Sequence, residues 1–239
     1  MSHTDLQKTE FTVIGIVESG FKEKFGVPRQ PRLTHIRSKI RMLPPFNTPD
    51  AFEGLEQFSH IWLSFVFHQT QNTHWRPKVR PPRLGGNRKM GVFATRSTVR
   101  PNPLGLSAVR LIAIETLDSG VTLVVEGADL MDNTPIIDIK PYLPFSDQIP
   151  DATGGFAENA PEAKLKVVFS STAQDYLLSL GKQEITDTII EVLSLDPRPA
   201  YHSDPERQYG IHLFDFNVQW RCAENVAIVE KISPVNHEI

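Results

Sequence analysis

A single cysteine, Cys222, stands in 239 residues. It cannot close a disulfide within the chain, which fits a reducing compartment. No apolar run approaches the length of a membrane span; the longest, Ile61 to Phe67, has the size of one strand. The opening residues, MSHTDLQKTE, are polar and lack an apolar stretch followed by a cleavage site, so a cytoplasmic location is expected. Several catalytic signatures are missing too. There is no GxGxxG after a strand and no Walker motif, which argues against a Rossmann-type dinucleotide site or a P-loop. The eight histidines form no HExxH or HxxxH pair and the one cysteine has no metal partner, so no metal is expected. No GxSxG elbow is present.

The most informative absence is local. From Gln57 to Ile114 there is no Asp and no Glu. The same stretch carries Arg76, Lys78, Arg80, Arg83, Arg88, Lys89, Arg96, Arg100 and Arg110, while the whole chain has 25 basic and 28 acidic residues. A mildly acidic protein has thus gathered positive charge into one segment. A local positive field attracts polyanions whatever the net charge. On charge alone, neutralisation by acids from elsewhere in the fold is an equal alternative.

What is present reads as β-rich over the first two-thirds. Strands are expected at Phe11–Val17, Thr34–Leu43, Ile61–His68, Gly91–Thr95, Leu106–Ile114, Val121–Glu126 and Pro135–Lys140, with a hairpin turn at Asp118-Ser-Gly120. A helix is expected at Asp50–Phe58. Many short strands and few long helices point to a closed barrel. Residues 149–161 are small, polar and irregular and read as a linker. Beyond them comes a strand at Leu165–Phe169, then a helix capped by Ser171 or Thr172 and ended by Gly181. A second helix at Thr186–Leu195, with Ile189, Ile190 and Leu193 on one face, precedes a hairpin turned at Ala223–Asn225. The expected organisation is a mainly β domain over residues 8–148, a linker, and a small α+β domain over 162–239.

Four clusters could carry chemistry. Pro28 and Pro31 bracket Arg29 and Gln30 on a stiff loop. His68 and Gln69 emerge from the end of an apolar strand. The run Thr95 to Ser107 packs hydroxyls, Arg96, Arg100 and Asn102 among rigid prolines, and a buried structural turn would rarely spend two arginines, whose forks suit phosphate or carboxylate. The last is Gly127 to Tyr142, where Asp132-Asn133 before Thr-Pro is an Asx-type turn. Within it Asp138 and Lys140 share a strand face and could form a salt bridge and nothing more.

The strings VFATRSTVRPNPLGLS, VPRQP and DLMDNTPIIDIKPYLPF closely resemble the TrmO (YaeB/TsaA-like) tRNA methyltransferases, over most of residues 10–147. The C-terminal Asp196-Pro-Arg198-Pro-Ala-Tyr201 and Phe214-to-Trp220 runs resemble the additional domain of bacterial members. Asn133 stands where some relatives have Gly, and both residue types tolerate a left-handed turn. The resemblance implies a non-Rossmann, single-sheet β-barrel that binds S-adenosylmethionine, and a homodimer with sites near the subunit interface. It implies methylation of N6 of threonylcarbamoyladenosine at position 37, next to the tRNA anticodon, with threonine tRNA as the expected species. It also implies a cofactor pocket lined by Pro28, Arg29, Gln30, His68, Gln69, Arg96, Leu106, Asp129, Leu130, Met131 and Asp132.

The carbamoylated N6 is a poor neutral nucleophile, because its lone pair is delocalised, and its proton must leave during or before attack. A general base is therefore sensible, with His68, Asp138 and Tyr142 as candidates. The threonyl carboxylate needs a cation from among Arg29, Arg96, Arg100 and Lys140. Phosphate of the anticodon stem-loop suits Arg76, Lys78, Arg80, Arg100, Lys140 and the C-terminal Arg198 and Tyr201; Trp75, embedded in basic residues, could stack on a base, with a packed core tryptophan an at least equal reading. The competing readings are a non-catalytic RNA-binding barrel and a module acting on a small anion.

Overall fold

In a computed structural model, residues 9–70, 74–162, 165–199, 204 and 206–235 are described. Six strands close a barrel: β1 (Gly15–Glu18), β2 (Arg37–Met42), β3 (His60–Val66), β6 (Leu104–Leu117), β7 (Gly120–Glu126) and β8 (Pro135–Pro141), in the order β1-β2-β7-β6-β3-β8. Every neighbouring pair is antiparallel. Closure leaves no free sheet edge. Along β2 and β3 buried and more exposed residues alternate strictly, the period-2 signature of a strand with one face inward. The inward set, Val17, Ile40, Met42, Ile61, Leu63, Phe65, Val109, Leu123, Val125 and Ile136, fills the barrel.

Between β3 and β6 the chain leaves the barrel. A two-stranded ribbon forms from β4 (Lys78–Val79) and β5 (Met90–Gly91). The strand expected at Gly91–Thr95 instead turns into a single 3₁₀ turn over Val92–Ala94, because Thr95 closes a backbone bond to Val92. The helix expected at Asp50–Phe58 is also absent as one piece. Two 3₁₀ turns, Pro49–Phe52 and Leu55–Gln57, are separated at Gly54, whose φ of 86° breaks any continuous helix.

After the short helix α1 (Pro144–Asp147) and the irregular segment, β9 (Lys166–Phe169), β10 (Gln208–Leu213), β11 (Phe216–Ala223) and β12 (Val226–Pro234) form a four-stranded sheet ordered β10-β11-β12-β9, with β9 parallel to β12. Helices α2 (Ser171–Leu180) and α3 (Gln183–Ser194) accompany it. The cap of α2 is Ser170, one residue before the expected position: its hydroxyl accepts from the Ala173 amide, while Gly181 ends the helix in the left-handed region as expected. On α3 the inward face is Ile185, Thr188, Ile189, Val192 and Leu193, and Ile190 points outward. The C-terminal hairpin turns between Ala223 and Val226 as expected, but β10 adds a third antiparallel strand.

The two sheets have separate cores, and one loop of the barrel is built into the second. Phe21 and Ile36, from the segment joining β1 to β2, are buried among Leu177, Ile189, Ile211, Leu213 and Trp220 of the C-terminal part. The Phe214 amide donates to the Gly20 carbonyl (2.7 Å) and the His212 amide to the Glu23 carboxylate (2.9 Å). Among the described residues no helix is long and apolar enough to cross a membrane.

One barrel contact gives a direct test. Gly105 lies opposite Phe65 on β3, and a Cβ built there would sit 2.2 Å from the Phe65 ring. That ring is buried and meets Phe67 edge-to-face at 5.2 Å, so it cannot swing aside freely. Gly105→Ala is expected to cost about 1–3 kcal/mol through overpacking, read as a lower midpoint in chemical denaturation.

Candidate functional site

The site is built where three loops meet at one end of the barrel. The segment from Ser19 to Ile36 and the β7–β8 loop run together. The Ser19 amide donates to Asp132 Oδ1 (2.9 Å) and the Ser19 hydroxyl to the Leu130 carbonyl (3.0 Å), and Lys22 pairs with Asp132 Oδ2 at 2.9 Å. The Arg32 amide donates to the Gly127 carbonyl, and the Gly127 amide to the Ile36 carbonyl. Gly127 has a φ of 76°, and a Cβ there would press within 3.2 Å of the Arg32 backbone, so the approach requires glycine. Asn133 takes the left-handed turn, with φ 61°.

The third loop is the turn before β6. Thr70 donates its hydroxyl to the carbonyls of Phe67 and Thr98 (both 3.2 Å), and the Phe67 amide donates to the Pro103 carbonyl. These bonds seat His68 and Gln69, in a 3₁₀ turn after β3, against the turn carrying Arg96 and Arg100. Arg96 Nη1 donates to Gln30 Oε1 at 2.6 Å. Arg96 also exerts an attractive field on Asp129, whose Oδ1 accepts from the Ser107 hydroxyl at 2.6 Å. The structure therefore brings two hydrogen-bonded pairs, Gln30–Arg96 and Ser107–Asp129, drawn from four separate parts of the chain, into one electrostatic network, with no direct bond between the pairs among the described residues.

Two groups there have shifted acidities. Burial pushes the Asp129 carboxyl up, opposed by the Ser107 hydrogen bond and by Arg96. Burial lowers the His68 imidazole below its ordinary value, so it is neutral at pH 7.

The other expected residues fall in different places. Pro28 is buried, and Arg29 is exposed with its guanidinium reaching the Arg198 carbonyl (3.5 Å). Leu130 is buried, Met131 half-buried, and Asp132 is occupied by Ser19 and Lys22. Leu106 points outward and is 56% exposed; Ser64 of β3 lies beside it and Asp138 of β8 beside Ser64, so the three form a row on the outer face. Asp138 accepts from the Ile139 amide at 3.0 Å on one oxygen and from Lys140 on the other, which is the plain ion pair the sequence allowed. Tyr142 lies farther along, its ring against Trp62 (5.7 Å) and His60 (6.3 Å), while His68 follows the opposite end of β3. With about 3.3 Å per strand residue, one chain cannot bring His68 and Tyr142 to the same atom. An open depression of about 460 Å³ lined by Phe52, Leu55, Phe58, Ile139 and Pro141 contains none of the network residues.

Arg76, Lys78 and Arg80 lie exposed along the β4–β5 ribbon. Among the described residues, Arg110 alone of the nine cations in the acid-free stretch forms an ion pair, with Glu126 at 3.5 Å. The fold thus does not neutralise this segment with acids from elsewhere. Arg83 donates to the Asn159 carbonyl, tying the ribbon's loop to the irregular segment. Trp75 is half exposed and Phe93 is 75% exposed. Arg198 behaves differently from the expectation of a free cation: its guanidinium grips Asp196 through two bonds (2.7 and 3.1 Å) and its side chain is only 14% exposed. Tyr201 lies outside the described residues.

Ser107 was not singled out individually from the sequence. The available signal was a hydroxyl at an inward strand position, where a polar group needs a partner; that partner, Asp129, is 22 residues away. Lys22 carried no local signal at all.

The chain is similar to known proteins along most of its length. The model of the tRNA-methyltransferase O N-terminal domain matches residues 16–148, and that of the TrmO C-terminal domain matches residues 162–235. A tRNA (adenine(37)-N6)-methyltransferase of Escherichia coli (strain K12) is 49% identical over 220 residues, covering 90% of this chain and 94% of that protein. One of the same name from Eikenella corrodens is 48% identical over 178 residues, covering 74% of this chain and 98% of its own. A crystal structure of TrmO from Pseudomonas aeruginosa superposes with a TM-score of 0.79 at 35% identity, covering 96% of this chain and all of that one. With family models matched on both sides of the irregular segment, and relatives aligned along nearly its whole length, the chain belongs to the TrmO family of tRNA methyltransferases.

Proposed function

We propose that this protein is an S-adenosylmethionine-dependent methyltransferase acting on N6 of adenosine 37 in tRNA, with the threonylcarbamoylated adenosine of threonine tRNA as substrate. The observation that carries this reading is the Gln30–Arg96–Asp129–Ser107 network beside a ribbon of unpaired cations. A half-buried carboxylate in a guanidinium's field is costly for folding alone and suits a polar cofactor. Gln30, Arg96 and Asp129 fit S-adenosylmethionine chemically: the molecule offers ribose hydroxyls, an ammonium, a carboxylate and an adenine edge. When bound, it supplies an electrophilic methyl group.

The chain's own residues then have three tasks. The first is positioning, since displacement at a methyl carbon needs in-line approach of N6. The second is removal of the N6 proton. His68 is the candidate base that the geometry favours: it is neutral, and it sits on the turn that adjoins the network. Asp138 has both oxygens engaged, and Tyr142 is packed on aromatic rings. The third task is to hold anions. Arg100, half-buried on the same turn, suits the threonyl carboxylate, and Arg76, Lys78 and Arg80 suit stem phosphate. Arg29 and Lys140 remain further cations for the substrate, although Lys140 is paired with Asp138. The bidentate grip on Asp196 favours a structural part for Arg198 over an RNA contact.

Leu104, Leu106 and Phe93, on either side of the Arg96–Arg100 turn in the chain, are exposed to solvent. A second copy covering these apolar side chains would remove them from water, which is in keeping with a homodimer. A tRNA substrate and a reduced cysteine are in keeping with the cytoplasm.

The decisive experiment is nucleoside mass spectrometry of tRNA treated with the purified protein and S-adenosylmethionine. Gain of one methyl on threonylcarbamoyladenosine is expected. No gain on that nucleoside would sink the reading, and equal gain on unmodified adenosine 37 would sink its substrate detail. Replacing Arg76, Lys78 and Arg80 together by Ala should flatten the dependence of log tRNA affinity on log salt by about 2–3, with cofactor affinity unchanged in calorimetry. His68→Gln should lower kcat by about 10²–10⁴ while sparing tRNA affinity. The wild-type rate should fall as pH drops through the His68 pKa, which lies below 6.5, and the variant should lack that limb.

A further inference from the structure

Ser107 is 2% exposed and lies on β6 opposite Leu63, on the inward face of the barrel wall. A hydroxyl there has no structural need that alanine would not meet, unless it serves a partner. Its partner is the Asp129 carboxylate, 2.6 Å away. Asp129 begins the stretch of the β7–β8 loop that the Ser19 bonds fix through Leu130 and Asp132. Ser107 binds Oδ1 only; among the described residues no side chain donates a hydrogen bond to Oδ2. The charged group that bears on this carboxylate is Arg96, itself held by Gln30. Asp132, three residues along the same loop, is already matched by Lys22.

We propose that Ser107 is a positioning residue for the cofactor, fixing the Asp129 carboxylate so that its second oxygen accepts from the vicinal hydroxyls of the cofactor's ribose. The inference rests on the S-adenosylmethionine reading above. Its chemistry follows from the neighbours. A carboxylate in the field of a guanidinium is a weaker site for a cation, but an ionised oxygen remains a strong acceptor for neutral hydroxyl donors. The cofactor's neutral donors are the ribose diol and the adenine amine, and only the diol sets two hydroxyls side by side for one oxygen. Because the demethylated product, S-adenosylhomocysteine, carries the same diol, the contact holds both molecules equally and does not depend on the sulfonium charge.

The acidity of Asp129 supplies a second readout. Its folded-state pKa is raised by burial and held down in part by Ser107. The sign follows: folding favours the protonated form, so ionised Asp129 destabilises the ligand-free fold as pH rises through its folded pKa. Affinity that needs the ionised oxygen falls as pH drops through that same pKa, and removing the Ser107 bond moves the fall to higher pH.

The test is calorimetric titration of the full chain with S-adenosylmethionine and, separately, with S-adenosylhomocysteine. It uses wild type, Ser107→Ala, Ser107→Thr and Asp129→Asn, between about pH 4.5 and 7, below the range of a free α-amino group. Ser107→Ala should weaken both ligands by the same factor, about 10-fold, with its acid limb moved to higher pH. Ser107→Thr, which keeps the hydroxyl, should recover most of the affinity. Asp129→Asn should lose affinity, lack the limb, and melt no lower than wild type without ligand. A limb that persists in Asp129→Asn belongs to His68 and overturns the assignment. So does a loss confined to S-adenosylmethionine, which would place the carboxylate at the sulfonium. A Ser107→Ala protein with altered melting but unchanged affinity and pH dependence also overturns it. If wild type binds neither ligand, the cofactor reading itself fails, a result distinct from all of these.

Discussion

The burial of Phe21 and Ile36 in the C-terminal core is the contact on which the site depends. The segment between β1 and β2 is 18 residues long and has no extended strand of its own. Left in solvent, such a loop would sample many conformations, and ordering it costs roughly 1–2 kcal/mol per residue of backbone entropy. Burying two large apolar side chains returns about 1.5–3 kcal/mol each. The hydrogen bonds from His212 and Phe214 add direction. Gly20 and Gly26 let the chain lie flat on Phe214 and Ile211, where a Cβ would come within 2.6 and 2.0 Å of those side chains. The consequence is that Pro28, Arg29 and Gln30 stand on a braced loop. The C-terminal part therefore reaches the network through the backbone it holds, as well as through the Arg198 carbonyl that receives Arg29.

The barrel contributes rigidity of a different kind. Its closed sheet gives Ser107 a fixed register opposite Leu63 and gives Leu106, Ser64 and Asp138 a shared row. Neighbouring side chains along a strand point to opposite faces, so Leu106 and Ser107 serve the outside and the inside respectively. A register slip of one residue would exchange them. The bulge opposite Ser64–Phe65, where Ile137 is skipped, re-aims β8 between Ile136 and Asp138 and puts Asp138 outward. Charge is distributed along the same lines. The surface ion pairs, such as Lys39–Glu115 and Arg41–Glu18, lie on exposed barrel strands and contribute little to stability, whereas the ribbon cations are left without acids.

Much of the architecture was legible because it rests on period-2 patterning and turn chemistry. Strands β2, β3, β6, β7 and β8 fall where alternating or β-branched runs stood, and the Asp118-Ser-Gly120 turn joins β6 to β7. The failures share a cause. Short segments whose conformation is set by one bond or one φ angle carry no periodic signal. The 3₁₀ pieces at Pro49–Gln57 and Val92–Ala94 are of this kind, as is the one-residue shift of the α2 cap to Ser170, decided by whose hydroxyl reaches the Ala173 amide. Ile190 was misplaced because it lies about 100° round the helix from Ile189, away from Ile185, Thr188 and Val192, at the exposed edge of the apolar stripe.

The sequence by itself determined the chemistry available. An acid-free basic stretch, two stiff proline-bracketed loops and uncommon strings placed Arg29, Gln30, Arg96 and Asp129 among the residues to watch. Those are properties of composition and local order, and a linear chain carries them openly. Only the tertiary structure decided which of these groups meet. Gln30 and Arg96 are 66 residues apart, and Ser107 and Asp129 are 22 apart, yet each pair closes at 2.6 Å. The structure also separated groups that the sequence had pooled, sending His68 and Tyr142 to opposite ends of β3 and binding Arg198 to Asp196. The physical reason is that a hydrogen bond or ion pair forms over about three ångströms of space. The register of a closed sheet and the docking of one loop on a distant core set that distance, and neither is written in any local run of residues.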